Sequence, residues 1–175
     1  MSEFSVRSLG EDDWEQYRSA RLNALAESPE AFAATLDDEQ GYDEEFWRVR
    51  MRRSQRLLAE TVEAAVGVAS VGKSDDDNPK VAELFGLWVA PSQRGRGVAT
   101  LLVQAGADVA RAQGRSHLAY WVSTDNGRAV AFASGFGFRP TDSRRPMRVL
   151  QDGDEVEEIA MVLPLGDDRG LPPNF

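Results

Sequence analysis

The chain has 175 residues, 42% hydrophobic and 28% charged, with no cysteine and one histidine, a globular composition rather than a fibrous or disordered one. Without cysteine there are no disulfides, thiolate zinc sites or cysteine nucleophiles, and a net charge of −9 disfavours nucleic acid as a partner. No apolar run approaches the roughly 18 residues of a membrane span. The first fourteen residues lack the basic and apolar regions of a secretory signal, so a cytoplasmic protein is expected.

In chain order, residues 4–8 alternate apolar and polar and predict a short strand. Asp12 or Asp13 caps a helix running to about residue 26, with Trp14, Tyr17, Arg21, Leu22 and Leu25 on its inner stripe. A second helix fits residues 43–53, with Phe46, Trp47 and Met51 inward. Residues 56–62 and 64–72 predict a hairpin. Residues 73–80, with Asp75, Asp76 and Asp77, are a solvated turn, because they lack the glycine and distal glutamate of a calcium loop. Residues 81–89 form a long strand interrupted by Gly86, the sign of a bulge or close backbone approach. A loop over 91–97 opens a helix over 97–113, ended by Gly114. A strand over 118–122, a helix over 128–134, and strands around 146–150 and 157–163 complete the chain. The reading is one α/β domain over residues 1–165 and a frayed tail over 166–175. No metal site is expected. His117, at a strand start, reads as structural. Trp14, Phe46 and Trp47 read as core, and Glu27, Glu30, Asp37, Asp38 and Glu39 as solvated charge, although both sets could also serve an amine acceptor.

The most informative stretch is LFGLWVAPSQRGRGVATLL, residues 84–102. A strand enters a loop that turns directly into a helix. The start of a helix presents unpaired N–H groups and the positive end of its dipole, a ready anion site. Gly95 and Gly97 admit a phosphate close to the backbone, and Arg94 and Arg96 add charge there. Residues 84–150 carry nine arginines and no lysine against three acids, and the planar guanidinium suits phosphate oxygens. The Walker pattern is absent, and the dinucleotide fingerprint fails at Thr100.

Arg94-Gly95-Arg96-Gly97-Val98-Ala99 resembles the R/Q-x-x-G-x-G/A signature of GNAT superfamily N-acetyltransferases, and Leu87-Trp88-Val89-Ala90-Pro91 resembles its lead-in. Asn126 to Phe132, followed by Gly137-Phe138, resembles the family's second block at the right distance. The resemblance implies a mixed, mostly antiparallel sheet of six to seven strands with about four helices and splayed central strands. It also implies acetyl-CoA as co-substrate. Its diphosphate would lie on Arg94, Gly95, Arg96, Gly97, Val98 and Ala99, with Thr100 nearby. The pantetheine arm would lie along Leu87, Trp88 and Val89, with Asn126 and Phe132 also at the cofactor. Asn126 is equally a helix cap.

The implied reaction is direct attack of a primary amine, on a small molecule or peptide, upon the thioester. Neutralising a lysine-like amine at pH 7 costs about 4.6 kcal/mol, and an α-amino group only about 1–1.4 kcal/mol. Glu83 is the candidate base, and main-chain N–H near Val89 could polarise the thioester carbonyl. The family's usual tyrosine acid is replaced by Ala133, which leaves water, Ser134 or Tyr120 as substitutes. The alternative is a non-catalytic acyl-CoA-binding module. The family is often dimeric, and nothing in this sequence fixes that state.

Overall fold

The computed structural model describes residues 3–32, 34–74, 79–146 and 157–166. Its strands are β1 (Ser5–Leu9), β2 (Gln55–Glu60), β3 (Ala65–Lys73), β4 (Val81–Val89), β5 (His117–Ser123), β6 (Arg139–Pro146) and β7 (Glu157–Pro164). They form one mixed sheet in the order β1-β2-β3-β4-β5-β7-β6. The helices are α1 (Trp14–Glu27), α2 (Leu36–Gln40), α3 (Glu44–Arg53), α4 (Val98–Ala112) and α5 (Gly127–Phe136). Contacts divide the chain into two compact units. One comprises Met1–Gly72 and Gly86–Gly106, the other Lys73–Phe85 and Ala107–Phe175. Both β4 and α4 contribute residues to each.

In the first unit, β1, β2 and β3 pair antiparallel, Ser5 opposite Glu60 and Gln55 opposite Val71. Tyr17, Ala20 and Ala24 of α1 pack with Trp47 and Met51 of α3 and with Leu58, Val68 and Trp88 from the strands. Trp47 is wholly buried and meets Tyr17 edge-on at 6.1 Å. Asp43 caps α3, its Oδ1 accepting the Phe46 N–H at 3.0 Å. Asp13 does not cap α1 through its side chain; its Oδ2 accepts the Gly10 N–H at 2.8 Å in the preceding turn.

Two further expectations fail in this unit. Phe46 is 38% exposed and lies against Tyr42 at 3.9 Å, because the 3.6-residue period turns Trp47 and Met51 inward instead. Glu39 is not solvated charge. It is fully buried on α2, a helix the sequence reading did not contain, and accepts two hydrogen bonds from Arg21 at 3.1 Å and one from Arg50 at 2.7 Å.

In the second unit, residues Val81 to Leu84 pair parallel with His117 to Tyr120, while β7 lies antiparallel between β5 and β6. Val81, Ala119 and Val162 form its small core cluster. The strand expected around 146–150 is β6, earlier in the chain. Its sequence RPTDSRRP has two prolines and no apolar alternation, which an edge strand tolerates. Residues 147–150, Asp75 to Asp77 and residues 167–175 lie outside the described residues. His117 is buried, its Nδ1 2.8 Å from Ser116 Oγ. Among the described residues, no helix is long and apolar enough to cross a membrane, and no cluster of three or more metal-ligating side chains occurs.

Candidate functional site

The loop between β4 and α4 follows from its sequence. Gly86 takes φ +63° in β4, Gly95 φ +78° and Gly97 φ +86° in the loop. A Cβ at Gly95 or Gly97 would meet nothing within 4 Å, so glycine is required by the left-handed backbone and not by crowding. Both are exposed, immediately before the first turn of α4, whose leading N–H groups have no acceptor within the helix. The start of α4 is fixed by packing. Val98 is buried, and a Cβ at Gly67 of β3 would lie 2.9 Å from Trp88 O and 3.1 Å from Leu102 Cδ1.

The two loop arginines do different work. Arg94, although exposed as a residue, is tied back to the fold: its Nε donates to Val89 O at 3.0 Å and its Nη2 to Ser28 Oγ at 3.3 Å. Ser28, at the end of α1, also accepts the Trp88 indole N–H at 3.2 Å. Arg94 thus braces the loop against β4 and α1. Arg96 is exposed, pairs with Glu3 at 2.6 Å and Gln93 at 2.9 Å, and lies 5.3 Å above the Phe4 ring. An exposed pair of this kind contributes about 1 kcal/mol at most, so Arg96 can exchange its partner for another anion. Ser28 was not legible in the sequence, because it lies about 60 residues upstream of both its donors.

The same unit contains a groove of about 760 Å³ beside α1 and the β2–β3 turn. Glu15, Glu60 and Glu63 line it together with Ala20, Leu58 and Trp88.

In the second unit Glu83 is 7% exposed. Its Oε1 lies 3.7 Å from Arg145 Nη2, while Arg145 Nε donates to Glu158 Oε1 at 3.3 Å. The Arg145 guanidinium sits 4.2 Å above the Trp121 ring. Tyr120, next along β5 from Ala119, the register partner of Glu83, points to the opposite face. Burial pushes the Tyr120 phenol up to about 12, and the nearby Glu158 adds to the shift. Asn126 caps α5, its Oδ1 accepting the Ala129 N–H at 3.1 Å. On α5, Ala133 is wholly buried, Phe132 half-buried and Ser134 exposed.

Residues 10–138 match the Acetyltransferase (GNAT) family; the chain belongs to that family. Mycothiol acetyltransferase from Beutenbergia cavernae is 30% identical over 137 residues, which are 77% of this chain and 45% of that protein. An uncharacterised N-acetyltransferase from Methanocaldococcus jannaschii is 34% identical over 65 residues, 37% of this chain and 29% of that one. The chain therefore spans less than half the length of these curated relatives. Among solved structures, a GNAT-family acetyltransferase from Streptococcus pneumoniae superposes with TM-score 0.75 at 17% identity, over 94% of this chain and all of that one. YncA from Salmonella typhimurium, solved with its cofactor acetyl-CoA, superposes with TM-score 0.68 at 20% identity, over 97% and 98% of the two chains. These likenesses establish the fold expected from the two sequence blocks, with seven strands and with five helices where about four were expected.

Proposed function

We propose that this chain is a cytoplasmic, acetyl-CoA-dependent N-acetyltransferase acting on a primary amine of a small molecule or peptide. The observation that carries this reading is the exposed pair of left-handed glycines, Gly95 and Gly97, leading into the N-terminus of α4. Open space beside both glycines fits a diphosphate held by main-chain N–H. In this reading residues 94–99 and Thr100 hold the phosphates, with Arg96 leaving Glu3 for them. The main chain of Leu87, Trp88 and Val89 lines the pantetheine, and Asn126 and Phe132 lie at the cofactor. Acetyl-CoA supplies the acetyl group as a thioester.

The chain's own residues then manage two protons. The amine is nucleophilic only when neutral, and Glu83 is the base that accepts its proton, directly or through water. The departing thiolate, with an ordinary pKa near 8.5, needs a donor. Tyr120 stays protonated with its phenol raised to about 12, so it donates a hydrogen bond rather than a full proton. Ser134 and water are the other donors. Ala133, standing where the family commonly has tyrosine, favours the second reading, a non-catalytic acyl-CoA-binding module.

Release of free thiol from acetyl-CoA, measured against a panel of primary amines, separates the two. Turnover with any amine supports the enzyme; calorimetric binding without turnover supports the binding module.

A further inference from the structure

We propose that Arg145 is a positioning residue for Glu83, holding the carboxylate in the orientation in which it accepts the proton of the acceptor amine. This rests on the reading of Glu83 as the base.

The register of the strands builds the arrangement. Glu83 pairs with Ala119, Ala119 with Val162, Trp121 with Ala160, and Glu158 with Arg145. Paired residues share a face and alternate residues return to it, so Glu83, Trp121, Glu158 and Arg145 all lie on one side of the sheet. Among the described residues of β4 to β7, the ionisable groups that register places on this face are Glu83 on β4, His117 on β5, Arg139 and Arg145 on β6, and Glu158 on β7.

Arg145 is set from two directions before it meets Glu83. Glu158, directly opposite on β7, accepts from its Nε at 3.3 Å, and its guanidinium carbon lies 4.2 Å from the centre of the Trp121 ring. Its Nη2 lies 3.7 Å from Glu83 Oε1. A planar guanidinium stacked and paired in this way has little freedom to follow its partner, so the carboxylate aligns to the arginine. Directing Oε1 toward Arg145 also sets where Oε2 points. The proton leaving the ammonium passes to the Glu83 carboxylate, directly or through water, and then to solvent, leaving Glu83 ionised for the next turnover.

A double-mutant cycle tests the coupling. Glu83→Gln is expected to lower kcat by about 100-fold, as removal of a general base does. Arg145→Met is expected to lower it at least tenfold, with the KM for acetyl-CoA changed less than threefold in both. Arg145→Lys, which keeps charge but not the planar fork, recovers part of the loss. The double variant is expected to run within about twofold of Glu83→Gln alone, since Arg145 acts only through Glu83. Losses that multiply, or wild-type kcat in Arg145→Met, overturn the proposal.

If Arg145→Met does not fold, Glu158→Gln, which loosens only the anchor, takes its place with the same criterion. Should the wild-type chain acetylate no amine, the enzymatic reading fails separately. The clamp is then read from the carbon-13 titration of the Glu83 carboxyl. A midpoint raised by one unit or more on loss of Arg145 supports it, and an unmoved midpoint overturns it.

Discussion

At Gly97 the left-handed backbone and the open space beside it make separable demands. Gly97→Ala imposes only the conformational cost, about 1–2 kcal/mol. Gly97→Glu adds a carboxylate where a diphosphate would sit, and is expected to weaken acetyl-CoA by at least 100-fold by calorimetry, while circular dichroism stays unchanged. The glycines were legible because few other residues tolerate that geometry. Glu39 was not. Nothing in its neighbourhood distinguishes it from Asp37 and Asp38, and its partners Arg21 and Arg50 come from other helices. Removing its charge leaves two guanidinium groups around an uncharged amide, so Glu39→Gln should destabilise the fold by about 3–5 kcal/mol in urea unfolding. Arg145 was equally silent, because its role depends on a strand register that no local pattern encodes.

Among the elements, β4 was read to the residue and α4 within one, since long apolar periodicity leaves little choice. Of the others, α2 was not foreseen and β6 was placed too late in the chain. Five residues are too few to show a helical period, and an edge strand with two prolines shows no alternation. Contact between β3 and α4 gives a test at this scale. Gly67→Ala would force a Cβ against Trp88 O and Leu102. Overpacking of this kind typically costs 1–3 kcal/mol, measurable as a lower midpoint in chemical denaturation. Because the same contact sets where α4 begins, acetyl-CoA affinity is expected to fall as well, whereas a surface Gly114→Ala change, strained but remote from that contact, should leave affinity unaltered.

For the molecule as a whole, acidic composition and a basic, arginine-only stretch oppose each other. Loop amides and an exposed guanidinium hold anions through fields that salt screens, so acetyl-CoA affinity should decline several-fold between 50 mM and 500 mM sodium chloride in calorimetry. Salt-independent binding would point to apolar contacts instead. The topology was legible because two motifs in register, within residues 87–99 and 126–138, point to a family whose fold extends over most of the chain. The acceptor was not, because its pocket would be shaped by side chains from helices and loops that no motif connects. Buried Glu39 carries one more consequence. Burial alone would push its carboxyl up, but hydrogen bonds and charge from Arg21 and Arg50 outweigh this and hold it below the ordinary value of 4.5. Its stabilisation is thus complete above that pH and disappears as acid titrates the folded form. A five-residue helix has almost no stability of its own. Below pH 4.5, amide hydrogen exchange should therefore open α2 first, an acid-released clasp whose unfastening precedes the melting of the sheet.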